Sequence, residues 1–143
     1  MKAFSNQPLG KLLALRHLNI EFIQHQLKNH DINPMQAHAI YFIKEHPYCQ
    51  QKTLAGFLGK PNSTTANLIS ALEKKGYLSR QTASDNDRSK ELFLTDSGQA
   101  MATQLSQTFD ALNQRLIANL TDQDISLFSR LVDQMINNQI EKE

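Results

Sequence analysis

Ser63, Asn67, Ser70 and Lys74 recur at intervals that a helix would gather into one stripe. At about 100° per residue, with Thr65 set at zero, they fall at roughly 160°, 200°, 140° and 180°. Leu68, Ile69 and Leu72 fall at roughly 300°, 40° and 340°, on the other side. The polar stripe therefore holds three short hydrogen-bonding side chains, one cation and no acid. Such groups suit the base edges and phosphates of a duplex: amides and hydroxyls meet edges in the major groove, and an ammonium meets a phosphate. A plain solvated face is the alternative. Thr64 and Thr65 extend the polar run at the start of the segment and join the candidates. Lys60 precedes it, where helix-start amides also favour a phosphate.

A second basic group lies downstream. Tyr77–Thr82 and Lys90–Thr95 read as strands, with Leu92 and Leu94 on one face, and residues 83–89 read as a charged loop of turn formers. Arg88 and Lys90 at this hairpin can follow a phosphate backbone or enter a minor groove, where the negative potential attracts arginine. Asp87 is expected to pair with a nearby arginine such as Arg80 and so orient the loop. An ordinary polar turn is the alternative.

The elements that position these groups can be read along the chain. Leu9, Leu12, Leu13, Ile20, Ile23 and Leu27 recur at helical spacing, predicting a helix over residues 8–29. Asn33-Pro34 starts a second helix, with Asn33 as N-cap and Gln36 reaching back, and it stops before Pro47. Gln51–Leu58 forms a short helix with Leu54, Phe57 and Leu58 inward and Gly59 at its end. A tight turn follows, then a helix from Asn62, its expected N-cap, to Lys75, closed by a left-handed Gly76. Two short helices joined by a turn of about three residues containing glycine form a helix-turn-helix. Thr95 caps a further helix whose Met101, Leu105, Phe109, Leu112, Leu116 and Leu120 form an apolar stripe. Thr121 and Asp124 start a last helix that gathers Phe128, Leu131, Val132, Met135 and Ile136.

The chain has 143 residues, 40% hydrophobic and 20% charged, which is one ordinary domain. Five glycines and four prolines argue against a β-sandwich, a collagen-like chain or a disordered one. No apolar run approaches the ~20 residues of a membrane helix. Residues 1–8 lack the apolar stretch of a secretion signal, and a single cysteine excludes an internal disulfide, so a cytoplasmic location is expected. Net charge is +1, distributed as +2 over residues 1–43, +3 over 44–95 and −4 over 96–143. The mildly basic middle fits a surface facing a polyanion. No glycine-rich phosphate loop, GxSxG, HExxH or Ser/His/Asp set is present, so no enzyme is expected.

Leu54-Ala55, the run LEKKGYLSR over 72–80, DNDR over 85–88 and LFLTDSG over 92–98 resemble the MarR (multiple antibiotic resistance regulator) family. The resemblance is most specific over residues 51–98. It implies a mainly α fold with a small β-hairpin: a six-helix winged helix-turn-helix, dimerising through its N- and C-terminal helices. Residues 1–143 would be a single domain, with 1–30 and 97–143 as dimerisation helices and 34–95 as the DNA-binding lobe. The recognition helix falls on 62–75 and the wing on 83–90, with the wing arginine on Arg88; Ser89 stands where many relatives have a second basic residue. The implied function is a homodimeric regulator, a repressor in many relatives, binding palindromic operators in double-stranded DNA and released by a small-molecule effector. The apolar residues on several faces of the N-terminal helix, Leu15, Leu18 and Phe22 among them, agree with a partner subunit covering it.

The resulting DNA-binding set is Lys60, Ser63, Thr64, Thr65, Asn67, Ser70, Lys74, Arg80, Arg88 and Lys90. An effector pocket between the dimer helices and the DNA-binding part would draw on Arg16, Phe22, His38 and Tyr41, with ordinary packing as the alternative. His17, His25, His30, His38 and His46 form no HxxxH pair on one predicted helix, so neither a metal site nor a cofactor is expected. Cys49 lies between two predicted helices rather than in the N-terminal helix that oxidant-sensing relatives use, and reads as an inert thiol. The rival functions are a winged-helix protein-interaction module that does not bind DNA, and a metal- or oxidant-sensing regulator.

Overall fold

Pro8 and Pro34 each open a helix, where the missing N–H breaks no intrahelical bond. The computed structural model describes residues 6–83 and 86–140, and the backbone alone at 83 and 86–89. Among these the order is α1 (Pro8–Gln26), α2 (Pro34–Glu45), β1 (Cys49–Gln50), α3 (Gln51–Leu58), α4 (Asn62–Lys74), β2 (Leu78–Ala83), β3 (Asn86–Leu94), α5 (Asp96–Ile117) and α6 (Asp122–Ile140).

The expected caps of α2 and α5 form. At α2, Asn33 Oδ1 accepts from the Gln36 N–H at 2.9 Å, while Gln36 Oε1 accepts from the Asn33 N–H at 3.1 Å. Gly59 and Gly76 close α3 and α4 with φ of +62° and +80°. Behind Gly76, the Tyr77 N–H returns to the Leu72 carbonyl and the Gly76 N–H to that of Glu73, both at 3.0 Å. Thr95 Oγ1 accepts from the Gly98 N–H at 3.1 Å, and Thr121 and Asp124 exchange two bonds at the start of α6. That exchange, led by the Thr121 N–H, holds the Asp124 carboxyl below its ordinary pKa. Asn62 differs from expectation: Pro61 is the extended residue ahead of α4 and Asn62 is its first helical residue, with no side-chain cap.

The sheet is antiparallel in the order β1-β3-β2. Leu78 pairs with Leu94, Arg80 with Leu92 and Thr82 with Lys90; a bulge then brings Ala83 opposite Asn86. The strands thus continue into the polar stretch that was expected to be loop, because the ladder bonds backbone groups whatever the side chains. The expected tip residue Asp85, and the side chains of Asp87, Arg88 and Ser89, lie outside the described residues. The sheet also has an unanticipated member, β1, which pairs Cys49 with Leu92.

Packing divides the chain into two compact units, Met1–Asp110 and Ala111–Glu143. In the first, Ile23, Leu27, Ile40, Ile43, Leu54, Ile69, Leu72, Leu78, Leu92, Leu94, Met101 and Leu105 are buried together as the core. Every element of that unit except β1 contributes, so the period-3.6 and period-2 patterns converge on it. Phe57 corrects the inward placement on α3: it is 51% exposed and stacks on Phe42 at 4.4 Å, while Leu58 is half-buried. In the second unit α6 has no buried residue. Phe128, Leu131, Met135 and Ile136 are all exposed, as are Leu116 and Leu120 at the end of the preceding stripe. On α1, Leu9, Leu12, Leu13 and Leu18 are exposed too. No helix among the described residues is long and apolar enough to cross a membrane.

Candidate nucleic-acid interface

α4 presents two faces with different chemistry. Leu68, Ile69 and Leu72 are buried and fix the rotation of the helix, which leaves Asn62, Ser63, Thr64, Asn67, Ser70 and Lys74 exposed. No carboxylate stands among these six. Lys60 is exposed just ahead of the helix. The structure thus brings together Lys60, Ser63, Thr64, Asn67, Ser70 and Lys74.

Thr65 is not part of that surface. It is 0% exposed, and its hydroxyl donates to the Pro61 carbonyl at 3.0 Å, one turn back. Its place at the zero of the helical wheel lies between Leu68 and Ile69, so geometry buries it despite its polar type. Asn62 takes the opposite course. Displaced from the cap, its exposed side chain joins the polar end of the helix, and its carbonyl accepts from Gln51 Nε2 at 3.2 Å, tying the starts of α3 and α4.

The hairpin contributes from the strands. Arg80 Nε lies 2.8 Å from Glu73 Oε1, so the arginine is engaged by α4 itself. The side chain of Asp87, its expected partner, lies outside the described residues. Lys90 Nζ donates to Thr82 Oγ1 at 3.1 Å across the β2–β3 ladder, and Lys90 is exposed. Arg88 falls on β3, where the backbone alone is described.

Of the effector candidates, His38 and Tyr41 meet on one residue. Both rings pack against Phe109 of α5, with centroids 5.3 and 4.9 Å away. His38 Nδ1 also lies 2.8 Å from the Pro34 carbonyl, which defines it as the donor. Arg16 is exposed on α1, and Phe22 is half-buried there. In the sequence Phe109 is one member of an apolar stripe, and its aromatic type is the signal of this contact. The Cys49 thiol is half-buried, and burial pushes its pKa up against the opposing effect of a backbone hydrogen bond. A raised pKa leaves less thiolate, the reactive form. The described residues contain no cluster of three metal-ligating side chains.

A helix-turn-helix whose second helix exposes a polar face, followed by a two-stranded wing, defines a winged-helix protein. Residues 32–90 match the MarR family model. Solved structures share the fold over nearly the whole chain. The transcriptional regulator SlyA superposes with a TM-score of 0.88 at 20% identity, covering 95% of this chain and 96% of its own. A MarR transcriptional regulator from Methanosarcina mazei Go1 gives 0.82 at 20% identity, with 94% and 98% covered. MepR of S. aureus, in a DNA complex, gives 0.84 at 22% identity, with 92% and 98% covered.

Proposed function

We propose that this protein is a transcriptional regulator that binds specific sequences in double-stranded DNA as a homodimer, with repression as its mode. The observation that carries the reading is the exposed stripe of α4, where Ser63, Asn67, Ser70 and Lys74 stand without an acid. In this reading Ser63, Thr64, Asn67 and Ser70 read base edges or position phosphates, while Lys60, Lys74, Lys90 and Arg88 neutralise phosphates or enter the minor groove. Arg80 is paired with Glu73 and reaches a phosphate only when that pair opens. The match of residues 32–90 to the MarR family model and the DNA complex of the structural neighbour MepR support the assignment.

The exposed apolar side chains of α1 and α6 support self-association. A second copy covering Phe128, Leu131, Met135 and Ile136 removes from water a row of groups that a single copy leaves wet. Two-fold symmetry then makes the operator a palindrome with half-sites about 34 Å apart. The aromatic contact of His38 and Tyr41 with Phe109 supports an effector site there.

Selection of bound fragments from a random-sequence duplex pool tests the reading. A symmetric motif recovered by the purified protein upholds it. Recovery of no enriched duplex points instead to a winged-helix module that meets proteins.

A further inference from the structure

The C-terminal end of α4 is fastened to the segment joining α1 and α2, by residues that the proposed DNA contacts do not use. Lys75, the last residue before the closing Gly76 of α4, directs its Nζ to the Asp31 carbonyl and, at 3.2 Å, to Gln36 Oε1. Two residues on, the Tyr77 hydroxyl donates to Asp31 Oδ1 at 2.7 Å. Gln36 Oε1 is also the acceptor that completes the α2 cap with the Asn33 N–H. A single buried amide oxygen, on a residue 7% exposed, therefore serves the start of α2 and the end of α4 together.

This clasp has leverage on the far end of the helix. The 13 residues of α4 span roughly 20 Å at 1.5 Å per residue. Tilting the helix by about 5° about its clasped end moves the first turn by roughly 1.5 Å, beyond the tolerance of a base-edge hydrogen bond. Phosphate contacts made by long lysine side chains absorb such a shift, because they act at longer range and rotate freely. Burial of Leu68, Ile69 and Leu72 fixes how α4 is rolled. The clasp bears on how it is tilted. Lys75 is exposed but bonded within the chain, which sets it apart from Lys74 next to it.

We infer that Gln36, Lys75, Tyr77 and Asp31 are positioning residues for sequence discrimination, setting the tilt of α4 in the groove without touching DNA. This rests on the reading that α4 binds a duplex. Its signature is a loss of preference for the selected sequence at nearly constant affinity for random sequence.

The test compares binding to a selected duplex and to a scrambled one at one salt concentration, for the wild type, Tyr77→Phe, Lys75→Met, Lys75→Arg and the double variant Lys75→Met/Tyr77→Phe. None of these removes the α2 cap, and a thermal melt identifies the folded ones. The expected result is a fall of about tenfold in the selected-to-scrambled ratio for the double variant, the size of one lost base-edge contact. Scrambled-duplex affinity should stay within about threefold, the single variants should fall between, and Lys75→Arg should retain the ratio. An unchanged ratio in the folded variants, or equal losses on both duplexes, overturns the inference and leaves the DNA-binding reading intact. A wild type that binds no duplex overturns that reading and this inference with it.

Discussion

Glu73 Oε1 stands 2.8 Å from Arg80 Nε, which joins the helix proposed to enter the groove to the first strand of the wing. The two side chains are about one-third exposed, and among the described residues that carboxylate oxygen accepts no other hydrogen bond. Solvent screening limits such a pair to about 0.5–1 kcal/mol. Glu73→Gln should therefore lower stability by less than ~1 kcal/mol in a urea titration. It should also release the Arg80 guanidinium and steepen the log–log salt dependence on random duplex by roughly 0.9, the slope of one added phosphate contact. A slope that does not change would show that Arg80 stays off the backbone even when free.

Thr65 and Asn67 are two residues apart and should respond differently. Thr65→Val keeps the buried shape and deletes a hydroxyl bonded inside α4. It should cost about 1 kcal/mol of stability and leave duplex affinity unchanged. Asn67→Ala removes an exposed amide and should leave stability unchanged while shifting base preference, a loss of about 1–3 kcal/mol on the selected duplex. Parallel melts and binding titrations check both. A Thr65→Val protein that folds normally but loses DNA affinity would return Thr65 to the contact surface.

Gly98 is required by a close approach. A Cβ added there would lie 2.0 Å from the Tyr77 carbonyl oxygen, and Tyr77 follows the turn that closes α4. Backbone must move to admit even one methyl, so Gly98→Ala should destabilise by about 3 kcal/mol or more, at the upper end of overpacking costs. Chemical denaturation measures it, and a loss below about 1 kcal/mol would mean that the α4–α5 junction yields easily.

Tyr77 carries a pH dependence of definite sign. Its hydrogen bond to Asp31, then burial, then the Asp31 charge raise the phenol pKa above its ordinary value. The folded protein thus favours the neutral phenol. Its contribution is fully present below the unfolded pKa of about 10 and is lost as pH rises through the folded value. Tyr77→Phe should be less stable than the wild type at pH 8, with the difference shrinking as the buffer passes about pH 10.5. Urea midpoints of the two proteins at both pH values decide it. A difference that stays constant across that range would remove the phenol–carboxylate bond from the account.

Much of this architecture was legible because it is local. Asn33 and Gln36, Gly59 and Gly76, and Thr95 ahead of Gly98 act within a few residues of themselves, so their chemistry can be read in order. The polar stripe of α4 was legible because three leucine and isoleucine positions settle its rotation. Thr65 shows the limit: its side-chain type suggests a polar surface, while its helical angle sets it among apolar residues, and position decides its burial. β1 is two residues long and has no period to detect; only β3 defines it. The clasp of Asp31, Gln36, Lys75 and Tyr77 joins residues some 40 positions apart, and pattern within a segment carries no information on that. The apolar residues of α6 were read together as a stripe, yet no periodicity says whether a stripe meets its own chain or another.

In the proposed function the exposed face of α4 occupies the major groove. Guanine N7 lies in that groove, and its reactivity toward dimethyl sulfate reports occupancy directly. On a selected duplex saturated with protein, guanines should be protected in two patches roughly 10 base pairs apart. Undiminished methylation at every guanine of a duplex that is demonstrably bound would place α4 outside the major groove.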